Sequence, residues 1–191
     1  MSIVLRSVAG GCLVALLFGA AACDAGTVVS VPSAAASSPA PGSSGFFGGT
    51  DLAWVEITIA MNEELLPLLD LAPTHSADAG VRALAAEVRA GHEQELGVLR
   101  SLHDQAKLPS ENPHKGMPMP GMVTPEQVTA ANATQGAAFD KVLVQHLRAH
   151  LEQGVKLALS ESKAGVEPQT KSLAAQVMAS RGRFLARLTG R

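Results

Sequence analysis

Shifted against itself by 89 residues, the chain lays 51–102 over 140–191 without a gap. Asp51 meets Asp140, Val55 meets Val144, Ala60 meets Ala149, Glu63 meets Glu152 and Leu68 meets Leu157. Further along, Leu84-Ala-Ala-Glu-Val-Arg-Ala90 meets Leu173-Ala-Ala-Gln-Val-Met-Ala179, followed by Leu96 on Leu185 and Leu99 on Leu188. One offset through two helix-length segments and their linker reads as an internal duplication, in which each copy is a unit that buries its apolar face against the other. The fold must therefore accommodate the same unit twice. A site between the copies must be built from equivalent positions.

The unit is a helical hairpin. Residues 51–72 place Trp54, Ile57, Met61, Leu65, Leu68 and Ala72 at helical spacing, and 81–106 do the same with Val81, Leu84, Ala85, Val88, His92, Leu96, Leu99 and His103. Pro67 is expected to kink or shorten the first helix, because it has no amide to donate and crowds the preceding turn. Residues 73–80 form a turn-rich joint. Four prolines break up 107–121, and Thr124-Pro-Glu-Gln127 then starts a short helix with a capping hydroxyl and Pro at its first position, ending near Gly136. Helices over 137–161 and 169–189 repeat the hairpin. No segment has the alternation of a strand. The expected fold is all-α: a ferritin-like four-helix bundle of two duplicated hairpins joined by a long crossover.

Residues 1–22 read as a signal peptide, with basic Arg6, an apolar Cys12–Phe18 core too short to span a bilayer, and small residues at Gly19–Ala22. Cys23 follows at once, as in a bacterial lipobox, although Ala20 stands where Leu is usual. Cys23 is accordingly the expected lipidation site of an exported protein anchored to the membrane; simple secretion is the alternative. Residues 23–50 are a Ser/Ala/Pro/Gly tether that buries too little to offset its ordering entropy, and 51–191 form the bundle domain. With Cys12 removed and Cys23 acylated, this domain has no thiol and must hold together by packing. Fifteen basic and 17 acidic residues, with no basic stripe, argue against a nucleic-acid partner. The sequence names no protein partner.

Several polar side chains fall on the inward faces. Met61 is central on the first long helix and His92 on the second, with Glu95 one turn on; His146 and His150 lie on the third, and Arg181 on the fourth. The offset equates Met61 with His150 and His92 with Arg181. His92, His146, His150, Glu95 and the Met61 thioether could hold a metal in the bundle interior. The competing reading is a satisfied polar core, with Arg181 paired to Glu95. Glu-x-x-His, the di-iron signature, occurs only as Glu111–His114 in the Pro-broken loop. That loop, His114-Lys-Gly-Met117-Pro-Met119-Pro-Gly-Met122, is the second metal candidate, since thioethers suit Cu(I). Alternatively, its methionines cap the open end of the bundle as packing.

Asp51–Trp54 running to Met61-Asn62, the loop Gly116–Glu126, and Gly136–Asp140 running to His150-Leu-Glu152 resemble the exported bacterial family known as domain of unknown function 305. The resemblance covers about residues 50–190. It implies a ferritin-like bundle, a link to copper handling, and Met-Ile-x-His-His on the first helix of each hairpin with the paired histidines as metal ligands. Here those pairs are Met61-Asn62 and His150-Leu151, preceded three residues earlier by Thr58 and Leu147. His92 replaces a usual Gln. Only His150 keeps its expected place, while the Met-rich loop is well kept.

The expected function is non-enzymatic binding or handling of copper by an envelope lipoprotein. The alternative is a metal-free interaction or scaffold lipoprotein that has lost the family site. No Ser-His-Asp order or phosphate-cradling glycine loop speaks for catalysis.

Overall fold

The computed structural model describes residues 45–189. The signal peptide, Cys12, Cys23 and the tether up to residue 44 lie outside the described residues. The bundle begins slightly earlier than the repeat suggests. Gly48 is the cap of α1 (Gly49–Asp70), and the Asp51 carboxylate in the first turn accepts the Gly48 amide at 2.7 Å. Helix α1 continues past Pro67. The proline sits on the exposed side, so the carbonyl of Glu63 that loses its donor is left to water rather than to the core. The expected shortening does not occur there; the helix ends three residues later.

The joint holds a one-turn helix, α2 (Ala72–His75). Asp78 then caps α3 (Ala79–Gln105), accepting the amides of Gly80 at 2.6 Å and Val81 at 2.9 Å. After the proline-rich loop, α4 (Pro125–Asn132) starts in a capping box, Thr124 and Gln127 each bonding the other's amide. Helix α5 (Gly136–Ala164) and α6 (Pro168–Leu188) form the second hairpin, with Glu167 capping α6 through the Thr170 amide at 2.6 Å. Among the described residues there is no strand, and no helix is long and apolar enough to cross a membrane. The fold is the all-α bundle of two hairpins that the repeat requires.

The duplication is visible in the caps. Asp51, in the first copy, accepts the Glu167 amide at 3.0 Å, the cap residue of the second copy's second helix. Its counterpart Asp140 accepts the amide of Asp78, the cap residue of the first copy's second helix, at 3.2 Å. Each hairpin thus uses one carboxylate to hold the turn of the other.

Most of the apolar packing falls into two large clusters. One joins the start of α1, the end of α3, the end of α5 and the start of α6, with Trp54, Val55, Leu99, Ala158 and Val177. The other joins the opposite ends, with Leu68, Leu84, Val88, Phe139, Leu147 and Leu188. Each fully covered leucine contributes about 1.5–3 kcal/mol relative to exposure, so these clusters dominate the stability. Midway along the four long helices the pattern changes. Asn62, His92, His150 and Arg181 are all buried at that level, and a third cluster of Ala60, Met61 and Met122 lies with them.

Candidate functional site

The mid-bundle layer contains two polar systems. The first is built on Arg181, 1% exposed. Its guanidinium donates to both oxygens of Glu95, at 2.9 and 2.6 Å, and to Asn62 Oδ1 at 3.2 Å. Asn62 returns an N–H to Glu95 at 3.2 Å, and Ser180 adds a hydroxyl at 3.3 Å. Glu95 keeps a little access through a groove of about 520 Å³ between α3 and α6, lined by Gly91, Ser180, Arg183 and Phe184. The Arg181–Glu95 pairing of the competing reading is what forms, and it leaves Arg181 Nε buried without a partner. Glu95 is committed to the arginine and does not join the imidazoles.

The second system is the histidine pair. His92 and His150, both buried, bring their Nε2 atoms to 2.9 Å, and His92 Nδ1 lies 2.8 Å from the Val88 carbonyl one turn back. Burial above all, and then the Arg181 charge, push both rings well below the usual histidine range, His150 to about 3. Both are therefore neutral at neutral pH. His92 is depressed further by its neighbour His150, and the Val88 carbonyl opposes the shift. For His150 the opposing group is the Gly121 main chain, which acts as an acceptor toward the ring. No hydrogen bond is completed there, and His150 Nδ1 is left buried without a partner.

Counting protons exposes a deficit. Acceptors stand at both ends of the line Val88, His92, His150, Gly121. Two neutral imidazoles bring two protons to three contacts, so one contact lacks a proton whichever tautomers are chosen. The geometry shows which. A carbonyl only accepts, so His92 carries its proton on Nδ1 and its Nε2 is a bare acceptor. The 2.9 Å contact between the Nε2 atoms needs a proton, which we therefore assign to His150 Nε2, and the His150 Nδ1 lone pair then faces Gly121 unfilled. Such an orphan in a buried site calls for an explanation.

Gly121 can press this closely because it has no side chain. A Cβ there would lie 2.8 Å from the Ala149 carbonyl and 2.6 Å from Gln153 Cβ, and its φ of +77° favours glycine independently. The next residue, Met122, is 5% exposed and clusters with Met61, while Met119 packs against that cluster half-buried. Met117 remains at the surface, 45% exposed. The loop thus carries three thioethers at graded depth and ends on α5 at His150.

The remaining candidates stand apart. His146 is half-buried one turn before His150, its ring lowered by burial, and it makes no bond to the pair. His114 is half-buried in the loop with Nδ1 unpartnered. Among the described residues no group of three or more His, Cys, Asp or Glu is placed to hold a metal ion. Any metal here would depend on thioethers or main chain beside a histidine. Sequence reasoning missed Asn62 and Gly121. Asn62 stands where the family resemblance places a histidine, which was a usable signal, whereas nothing local marks the close approach of Gly121.

Fold and site together define an all-α duplicated bundle with a buried, proton-deficient imidazole pair beneath a methionine loop. Residues 51–190 match the family described as Domain of unknown function (DUF305), and the chain belongs to that family. No curated protein matches it. Among solved structures it is similar to a DUF305 protein of Streptomyces coelicolor, provisionally designated as secreted (20% identity, TM-score 0.66, covering 74% of this chain and 90% of that one). It is also similar to a DUF305 fragment from Deinococcus radiodurans (15%, 0.67, 75% and 95%) and to CopM in its Cu(I)-bound form (15%, 0.63, 75% and 95%). At these identities the likenesses establish the fold.

Proposed function

We propose that this protein is an exported, non-enzymatic copper-handling protein that holds Cu(I) at His150 under the methionine loop. The observation that carries this reading is the buried His150 Nδ1 lone pair with no donor, one residue along the loop from Met122 and its cluster with Met61. A neutral imidazole and thioethers form a soft donor set suited to Cu(I). His92 then acts as a positioning residue rather than a ligand. It accepts from His150 Nε2–H and passes its own Nδ1–H to Val88, the outer-shell arrangement that fixes a ligand's tautomer. The 2.9 Å between the Nε2 atoms is a hydrogen-bond distance, about 0.4 Å too short for two nitrogens on a tetrahedral ion and about 1 Å too short for two on a linear one. His150 Nδ1, Met61, Met119 and Met122 would hold the ion, with Met117 receiving it at the surface. His114 and His146 have no part in this set.

CopM in a Cu(I)-bound form shares the fold, which supports the copper reading. Export rests on the signal-like N-terminus and the Streptomyces relative; lipid anchoring rests on Cys23 alone. The test is Cu(I) titration of the mature chain against a chromogenic chelator. We expect one tight site, weakened at least tenfold by His150→Leu or Met122→Leu and 10- to 100-fold by His92→Gln through loss of the second shell. Equal affinity in all four proteins would reject it. The second reading, a metal-free scaffold, is favoured by the Arg181–Glu95 pairing and predicts no binding above that of the variants.

A further inference from the structure

At the far end of the bundle from the α1–α3 joint, a second buried polar group does something the fold does not require. Asp51 is fully buried and accepts from four donors: the amides of Gly48 (2.7 Å), Val166 (3.0 Å) and Glu167 (3.0 Å) and the Thr170 hydroxyl (2.9 Å). Its acceptor capacity is filled. Against it lies Glu161, also with no exposed surface, whose two carboxyl oxygens complete no hydrogen bond of good geometry, with the Asp51 carboxyl and the Thr170 hydroxyl as polar neighbours. Gly165 closes over it so tightly that a Cβ would lie 2.1 Å from Glu161 Oε1. Two carboxyl groups in this position repel unless one proton lies between them.

The other copy shows that this second acid is optional. The 89-residue offset equates Glu161 with Ala72, which is buried and carries no carboxyl. Asp140 alone serves the turn there. Glu161 is thus an addition to the half in which the N-terminal segment enters the bundle, where Gly45 lies against the Glu167 carboxylate.

We infer that Asp51 and Glu161 form a single-proton latch that ties residues 45–51 to the α5–α6 turn, closed when the pair holds one proton and loosened when it holds none. When the latch loosens, the bridging proton on Glu161 passes to water, and the two carboxylates separate to be solvated. Burial, chiefly, and the Asp51 carboxylate raise the Glu161 carboxyl to about 7, while Thr170 and Lys171 oppose the shift. Asp51 is held below its usual value by its hydrogen bonds, which outweigh its own burial, the largest single influence on it. The charged groups facing the pair are Glu167 at the α6 cap and Lys171 one turn beyond; Lys163 follows on α5 itself. The sign follows. A raised carboxyl stabilises the closed form fully below its ordinary value of 4.5 and loses that contribution as pH rises toward 7. Above 7 the loss is complete. In stronger acid, below the ordinary Asp51 value of 3.8, the lowered Asp51 carboxyl acts in the opposite sense, so the latch is tightest in mildly acidic conditions.

The test is hydrogen exchange of the mature chain at the Gly48, Val166, Glu167 and Thr170 amides, corrected for intrinsic rates, at pH 5 and pH 8. We expect protection to fall at least tenfold between the two in the native chain, approaching tenfold per pH unit between about 5 and 7. Glu161→Gln, which keeps shape and gains a donor, and Glu161→Ala, which copies Ala72, should both show flat profiles. The Ala79–Val81 amides at the equivalent turn should be flat in every protein. A pH-independent native profile, or the same fall in both variants, overturns the latch. Far-UV circular dichroism confirms that the variants are folded, and a direct carbonyl ¹³C titration of Glu161 midway between 6 and 8 supports the assignment independently of exchange.

Discussion

The Arg181–Glu95 pair offers the sharpest energetic test of the mid-bundle layer. Arg181 is 1% exposed and its side chain makes three hydrogen bonds to Glu95 and Asn62. Replacing Glu95 with Leu leaves a buried guanidinium facing only Asn62, and loss of one partner of such a pair costs about 3–5 kcal/mol. The reverse change, Arg181→Met, should cost less, about 2–3 kcal/mol, because Glu95 is 12% exposed and can turn into the α3–α6 groove. The double variant Glu95→Leu/Arg181→Met removes both charges and should lie within about 1 kcal/mol of the native protein. The coupling energy is then about 4 kcal/mol or more, well beyond additivity. Urea unfolding of the four proteins measures the cycle. Additive losses, or a Glu95→Leu cost below about 1 kcal/mol, would refute the claim that this pair is closed and desolvated.

Three further outcomes follow from the geometry. Asp51→Ala strands the Gly48, Val166 and Glu167 amides and should cost about 3 kcal/mol or more, whereas Asp140→Ala, which loses one exposed bond, should cost about 1 kcal/mol or less; thermal unfolding distinguishes them. Gly121→Ala meets the Ala149 carbonyl at 2.8 Å in a left-handed conformation and should destabilise the loop by about 1–3 kcal/mol and weaken Cu(I) binding together with stability. The histidines carry an acid liability. Their depressed values mean that stability present above 6.5 is lost as pH falls, for His150 down to about 3. Each contributes up to about 1.4 kcal/mol per pH unit in that window. Glu161 acts in the opposite sense between 4.5 and 7. The comparison is therefore made within pairs: a His92→Gln/His150→Leu variant should gain on the native chain with acidification from pH 6.5 to 4, and parallel profiles would contradict the assignment.

Much of the fold was legible because it rests on period and repeat. Helical spacing of Trp54 through Leu68 and its recurrence at offset 89 placed the hairpins, and the inward faces put Arg181 within reach of Glu95. Pro67 does not end α1: it occupies the exposed face, and the helix continues three residues past it. The site was less legible for physical reasons. His92 and His150 were identified, but that they meet while His146 and Glu95 stay apart depends on helix rotation, which periodicity fixes only coarsely. The proton deficit at His150 arises from the Gly121 backbone, whose +77° φ is a property of the assembled loop. Asp51 and Glu161 lie on different helices far apart in sequence and each looks like an ordinary polar residue near a helix end. Their pairing becomes visible only when the turn between α5 and α6 closes over them.

The central claim is that His150 presents a bare Nδ1 toward the methionine loop, with His92 holding its tautomer. Long-range ¹H–¹⁵N correlation of the imidazole rings, before and after one equivalent of Cu(I), reads this directly. The account predicts that His150 is protonated at Nε2 and His92 at Nδ1 in the metal-free protein, and that Cu(I) shifts His150 Nδ1 alone among the ring nitrogens, with Met122 and Met61 methyl signals moving in step. A His150 proton on Nδ1, or Cu(I) that perturbs only Met117 and leaves both rings untouched, would contradict it.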